Sequence, residues 1–298
     1  MEVDKVSQDI VLALGGGGSK GNAHIGVLKV LEREGFRVRA VAGTSAGGMA
    51  AAVYAAGYSA LEIEEHMAAV DQNRLLGSRP KGPALLGVQG VAEALLPLLG
   101  ERTFDQLRLP CALTAVDLDT GREVILRQGR VLDAVMATIA IPGIFPPKKW
   151  GDLMLIDGGV VDPVPVAVAR EISPQPELPV VAVVLSPAPQ RRHNLPVPGF
   201  ANNLPVLRQI ARLRVAQAFD IFLRSVDISI IGITEARLQL DKPDVVIRPP
   251  VGHIGYLEKV DVREVIRLGE QAAEEALPEI HRALSWPQTL RRRWRRGA

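Results

Sequence analysis

Three short clusters in this 298-residue chain combine residue types that could do chemistry together. The first is Gly43-Thr-Ser-Ala-Gly47, a G-x-S-x-G pentapeptide. It falls between an apolar run at 38–42 and a helical run of small residues at 46–56 closed by Gly57. A serine on such a turn is pushed out at a helix N-terminus, where the dipole and free N–H groups favour developing negative charge. The turn is tight enough that side chains two positions either side would clash, which explains Gly43 and Gly47 around Thr44, Ser45 and Ala46. Ser45 is the candidate nucleophile.

The second cluster, Gly15-Gly-Gly-Gly-Ser-Lys-Gly21, follows another apolar run at 10–14. Consecutive glycines expose a row of backbone N–H groups that a ligand can approach closely. Three chemistries use such loops. A P-loop requires Gly-Lys-Ser/Thr, whereas Lys20 here follows Ser19 and precedes Gly21. A dinucleotide fingerprint fits Gly16-x-Gly18-x-x-Gly21 but asks for an acidic residue at the end of the second strand, where Ala42, Gly43, Thr44 and Ser45 stand. An oxyanion hole built from Gly16, Gly17, Gly18, Ser19, Lys20 and Gly21 uses this loop and Ser45 at once, provided the first two strands are neighbours. The third cluster is Leu155-Ile-Asp-Gly-Gly159. Asp157 ends a short apolar run and is followed by Gly158 and Gly159. It reads either as an Asp-Gly turn or, at a strand C-terminus, as a carboxylate pointing into the crevice of an open α/β sheet.

The elements that must position these clusters alternate between apolar runs and helical patterns, the signature of a largely parallel sheet flanked by helices. Strands are expected at 10–14, 38–42, 111–117, 123–127, 154–156, 180–185 and 244–247, with 111–117 and 123–127 forming a hairpin about Asp119-Thr-Gly121. Helices are expected at 22–34, 46–56, 60–70 (capped by Ser59), 89–99, 131–140, 162–172 (started by Asp162-Pro163), 204–239 and 259–284. Residues 72–88 and 187–205, rich in Gly, Pro, Arg and Asn, read as loops. No internal repeat divides the chain, so residues 1–285 are expected to form one domain and 286–298 a disordered basic tail.

Composition narrows the function classes. Hydrophobic residues make up 47% of the chain, enough for a large core. The net charge of +2 gives no global field for nucleic acid. The single cysteine, Cys111, suits a reducing compartment and sits in an apolar run, as a buried strand cysteine does. Residues 1–9 are mostly polar and no run reaches the ~18 apolar residues of a membrane span, so a cytoplasmic protein is expected. His66, His193 and His281 form no metal spacing, and neither metal nor cofactor is expected.

Taken together, the motifs resemble the patatin-like phospholipase family. The resemblance is carried by Gly16-Gly-Gly-Ser-Lys-Gly21 with Ala23-His-Ile-Gly-Val-Leu28, by Ala42-Gly-Thr-Ser-Ala-Gly47, by Ala140-Ile-Pro-Gly-Ile-Phe-Pro-Pro147 and by Asp157-Gly-Gly-Val-Val-Asp-Pro-Val-Pro165. The late Pro243-Asp-Val-Val-Ile-Arg248 also fits, so the similarity runs in colinear order over roughly 10–280. It implies a three-layer α/β/α sandwich with a largely parallel central sheet. It further implies Ser45 as nucleophile, Asp157 as its base in a Ser-Asp dyad, the glycine loop as oxyanion hole, and a lipid or acyl-ester substrate. Lys20 stands where the family carries Arg or Lys, without a role that the resemblance fixes.

Two rival readings remain. A Ser45-Asp157-His253 triad would satisfy the chain order of an α/β-hydrolase, although only one strand precedes that of the elbow. A lipid-binding module would keep the fold without the activity. His24, beside the glycine loop, reads as a packed, hydrogen-bonded histidine. A peripheral contact with anionic membrane, at the inner surface, is expected from two basic segments. One is Arg291, Arg292, Arg293, Arg295 and Arg296 around Trp294; the other is 187–215, where Arg191, Arg192, Arg208, Arg212 and Arg214 interleave with Leu204, Leu207, Ile210 and Leu213. The bland alternative is a solvated tail and a core-packed 204–215.

Overall fold

A computed structural model describes residues 8–76, 86–188, 206–285, 287–289 and 292, with side chains at all of these except 206–220 and 222–224. The first half alternates strand and helix as the periodicity requires: β1 (Asp9–Leu14), α1 (Asn22–Arg33), β2 (Arg37–Thr44), α2 (Ala46–Ala55) and α3 (Ala60–Ala69). Ser59 caps α3, accepting from the Glu62 N–H, while Glu62 reaches back to the Ser59 N–H. Next come α4 (Gln72–Leu76), inside the stretch expected as loop, α5 (Gln89–Leu99), β3 (Cys111–Asp117), β4 (Glu123–Leu126) and α6 (Val131–Thr138). Then follow β5 (Lys148–Trp150), which the sequence reading missed, β6 (Leu153–Asp157), α7 (Val166–Glu171), β7 (Val180–Val183), α8 (Val206–Asp241), β8 (Val245–Ile247) and α9 (Val262–Leu284).

The strands form one sheet in the order β5-β6-β3-β2-β1-β7-β8, with β4 also paired to β3. The central run from β3 to β8 is parallel, and β4, β5 and β6 pair antiparallel. Both sheet faces are covered, because alternate residues of one strand point to opposite sides. Ile10, Leu12 and Leu14 of β1 enter a large core with α1, α2, α5, α6 and α9. Val11 and Ala13 enter a smaller one with Ala40, Ala42, Val166 and Val168 under α7, against which Leu238 of α8 packs. The three-layer α/β/α architecture with a mostly parallel sheet is therefore as expected.

Two expectations change. The helix read from Asp162-Pro163 begins only at Val166, because 162–165 is used by other partners. Thr44 Oγ1 donates to the Asp162 carbonyl at 2.9 Å, and the Gly16 N–H to that of Pro163 at 3.0 Å. Arg292, placed in a solvated tail by its charge, is buried. Its guanidinium donates to the carbonyls of Glu177 and Ala283, at 2.6 and 2.7 Å, and pairs with Asp244 at 3.1 Å. The other tail arginines, Trp294, and the expected loop over 189–205 with Arg191, Arg192 and Leu204 lie outside the described residues. So do the side chains of Leu207, Arg208, Ile210, Arg212, Leu213 and Arg214, which stand on α8.

Candidate active site

The strand-to-helix turn after β2 has Ser45 at its apex, with φ 54° and ψ −122°. A non-glycine residue in the left-handed region is costly and persists where the surroundings over-determine it. Here they do. A Cβ on Gly43 would come within 2.3 Å of the Gly47 carbonyl oxygen, and one on Gly47 within 2.1 Å of that of Leu14. Both glycines of the pentapeptide are thus demanded by packing around the serine. The Ser45 N–H donates to Thr138 Oγ1 at 2.9 Å, and that hydroxyl donates to the Thr114 carbonyl at 2.6 Å. Thr44 Oγ1 and Thr114 Oγ1 lie 2.7 Å apart. Thr114 and Thr138 escaped the sequence reading, since a threonine inside an apolar run has no spacing that marks it.

Asp157 reaches the serine through the edge of β3. Strand β4 occupies one edge of β3 along 113–116. Strands β2, against 111–114, and β6, against 115–117, must therefore share the other. Thr44 pairs with Thr114 and Asp157 with the next residue, Ala115. Two segments far apart in sequence are thereby set end to end, and Ser45 favours the charged form of the Asp157 carboxylate. The other anchor is the Gly159 N–H, 2.8 Å from Oδ1. Gly158 is needed because a Cβ there would lie 2.3 Å from Thr114 Oγ1. Burial raises the Asp157 carboxyl from the usual 3.8 to about 6, against the lowering effects of Ser45 and of the Gly159 N–H.

The glycine loop leaves β1 beside this pair, as the parallel pairing of β1 and β2 requires. Its N–H groups divide. Gly15 donates to Val183 O at 2.9 Å, Gly16 to Pro163 O at 3.0 Å and Ser19 to Tyr256 O at 2.8 Å. Among the described residues, those of Gly17 and Gly18 have no backbone acceptor. A Cβ on Gly16 would sit 3.2 Å from Ser45 Cβ, so the loop runs directly against the serine. Gly18 has φ 57° and leaves no room for a side chain, with Tyr256 O 2.1 Å from a Cβ placed there. Lys20 is buried with its ammonium 4.8 Å from the centre of the Tyr256 ring. Burial lowers its pKa, and Asp227 of α8 partly restores it.

Among the described residues no histidine hydrogen-bonds Ser45 or Asp157. His24 is fully buried, and burial lowers its pKa to about 4. The neutral ring has Nε2 2.7 Å from the Gly15 carbonyl, the packed role expected. His253 is solvent-exposed, whereas Asp157 is buried. His66 bonds the Ala94 carbonyl and His281 packs on Phe36, while His193 lies outside the described residues. Cys111 is buried, which pushes its thiol up to about 12, an inert group. No three His, Cys, Asp or Glu among the described residues are grouped to hold a metal ion.

A cleft opens at Ser45, with an empty volume of about 1140 Å³ including its mouth. Gly18, Ser19, Gly21 and Tyr256 line it near the serine, and its walls are apolar, with Met49, Val53, Ile63, Leu95, Leu98 and Phe145. An alkyl chain fits such walls, with its polar end at the serine.

A serine held on a strained turn at the carboxyl edge of a doubly covered, mostly parallel sheet defines the class of α/β folds that carry a nucleophile elbow. Within that class the family is clear. The patatin-like phospholipase family model matches residues 12–170, and the chain belongs to that family. An uncharacterized NTE family protein of Mycobacterium tuberculosis is 35% identical over 165 residues, covering 54% of this chain and 45% of that protein. The Bacillus subtilis protein YqhO is 33% identical over 210 residues, covering 59% of this chain and 71% of its own length. The chain spans about half the length of the mycobacterial relatives it matches. VipD from Legionella pneumophila shares the fold, with a TM-score of 0.58 at 14% identity over 90% of this chain and 66% of that one.

Proposed function

We propose that this chain is a serine acyl hydrolase that cleaves carboxylic esters of lipids, phospholipids or lysophospholipids, and simple acyl esters, through an acyl-enzyme. The observation that carries the reading is Ser45, on its strained turn, set against a buried Asp157 at the head of an apolar cleft. A serine hydroxyl is a weak nucleophile until a base takes its proton, and a carboxyl lifted towards 6 is a better base than an ordinary one. Ser45 Oγ attacks the ester carbonyl while Asp157 accepts its proton. The carbonyl oxygen gains charge against the Gly17 and Gly18 N–H groups, which among the described residues have no backbone acceptor. The tetrahedral centre collapses, the alcohol leaves with the proton from Asp157, and the acyl group stays on Ser45. Water, deprotonated by Asp157, then repeats the sequence and releases the fatty acid. No cofactor enters these steps.

The remaining loop residues have supporting roles in this reading. Gly16, Ser19 and Gly21 shape the hole, and Lys20 braces it against Tyr256. The substrate's setting implies work at the cytoplasmic face of a membrane, reached by peripheral contact. Among the described residues no helix is long and apolar enough to cross a bilayer.

The test is a fluorophosphonate probe with an ester-hydrolysis panel. Wild type labels at Ser45, whereas a lipid-binding module would not label. Ser45→Ala and Asp157→Asn are each expected to lose about 10⁴-fold in turnover, the double variant hardly more, because the two act as a unit. Additive losses, or loss of hydrolysis in a folded His253→Ala, would overturn the dyad.

A further inference from the structure

Helix α8 runs for 36 residues, and its second half is tied to the body by three inward-facing charges. Arg237 lies 3.6 Å from the buried Asp162, and its Nε reaches the Val161 carbonyl at 3.4 Å. Glu235 pairs with Arg248 at 2.8 Å. Asp227 interacts electrostatically with Lys20 of the glycine loop and with Tyr256 at the cleft. The inner side of the helix therefore passes beside the loop that lines the cleft.

The outer side is unlike an ordinary solvated helix face. Its exposed residues include Ile221, Ser225, Ile228, Ser229, Gly232 and Ala236, continuing through Gln239 to Leu240. At ~100° per residue these positions fall within about 120° of the circumference, over ~30 Å of helix. None is charged. Ile221, Ile228 and Leu240 are 65%, 63% and 70% exposed, so large apolar side chains stand in solvent without a partner among the described residues. The two hydroxyls on the face make no demand outward. Ser225 donates to the Ile221 carbonyl at 2.8 Å and Ser229 to that of Ser225 at 2.9 Å. Such i−4 bonds satisfy a hydroxyl within its own helix, as an apolar medium requires. The sequence of the helix from 206 to 224 adds four arginines against one aspartate, a balance of +3.

We propose that the outer face of α8 from Ile221 to Leu240 is a docking surface for an anionic lipid bilayer, on which the helix lies flat in the interface. An uncharged face continued by a basic segment matches the two layers of such a surface, acyl boundary and headgroups. Seated there, the protein holds the glycine loop and the cleft beside the lipid from which a substrate chain would be drawn. This deepens the lipid-ester reading and rests on it for its purpose, although the docking itself requires no catalysis.

The test is co-sedimentation of the full chain with vesicles of phosphatidylglycerol and phosphatidylcholine in equal parts. Wild type and Ser45→Ala should bind alike. The pair Ile221→Asn and Ile228→Asn, both exposed and so tolerated by the fold, should weaken binding about tenfold for each isoleucine withdrawn from the interface. It should leave hydrolysis of a water-soluble short-chain ester unchanged. Vesicle binding unaffected by the pair, or absent in wild type, overturns the proposal. So does a wild-type dimer that the pair dissolves, since a second copy would then be the occupant. A wild type that binds vesicles but hydrolyses no ester would sink the catalytic reading and leave the docking surface standing.

Discussion

Replacing Asp157 by asparagine is expected to make the protein more stable while it abolishes turnover, and the gain should depend on pH in a defined way. The carboxyl is lifted from 3.8 to about 6 by burial. At 1.36 kcal/mol per pH unit, ionising it in the site costs the folded state about 3 kcal/mol relative to the unfolded chain. The sign follows from the direction of the shift. A folded value above the unfolded one contributes stability that is fully present below 3.8 and lost as pH rises through about 6. Wild type should therefore weaken over that window, whereas Asp157→Asn, having no charge to bury, should not. The amide still accepts from the Gly159 N–H and can donate to Ser45, so the two proteins should be nearly equal near pH 4. By pH 8 the variant should lead by up to about 3 kcal/mol, or ~6 °C for a chain of this size. Thermal denaturation of both proteins at intervals from pH 4 to 8 measures the difference, and shared titrations cancel. The same ionisation should govern wild-type kcat/KM, which should rise about tenfold from pH 5 and level off above 7. A stability difference that is flat with pH, or a rate profile breaking near 4, would refute the claim that burial tunes this carboxyl as the base.

Three further substitutions separate the parts of the site. Gly16→Ala puts a methyl 3.2 Å from Ser45 Cβ, so the fold should survive while turnover falls about 10²-fold through displacement of the nucleophile. Gly18→Ala instead forces a left-handed residue into the Tyr256 carbonyl, and should appear first as lost stability in a urea titration. Thr138→Val strands the buried Ser45 N–H without an acceptor, and should cost about 1–3 kcal/mol in the same titration. An unchanged midpoint would mean that the elbow holds itself without Thr138.

What was legible in the sequence was whatever depends on local pattern. The strained serine, the glycines around it and the neighbouring glycine loop follow from short-range sterics and the pairing of consecutive parallel strands. The position of Asp157 was visible only as a strand end followed by two glycines. That it lies beside Ser45 depends on β6 entering antiparallel along β3, with Asp157 opposite Ala115 just where β2 ends at Thr114, and such pairings leave no periodicity. The Asp162-Pro163 signal for a helix start misled because its carbonyls are needed by Thr44 and Gly16, and tertiary hydrogen bonds outweigh a capping preference. Arg292 misled for a related reason. A run of arginines reads as solvated, but a single guanidinium with two carbonyls and Asp244 around it satisfies its donors in the interior.

The same dependence on register explains why the Ser45–Asp157 pair can be both strained and durable. The hydroxyls of Thr44, Thr114 and Thr138 form a continuous link from the elbow to β3 and α6, and Thr114 is also the residue against which Gly158 closes. Moving Ser45 alone would unmake its N–H bond to Thr138, and moving Asp157 alone would slip β6 along β3. Neither group can relax without breaking bonds to the surrounding core, so the left-handed serine and the buried carboxylate are kept by the fold around them rather than by each other. A site arranged in this way should keep its backbone when either side chain is removed. That is why Ser45→Ala and Asp157→Asn are informative about chemistry and not merely about folding.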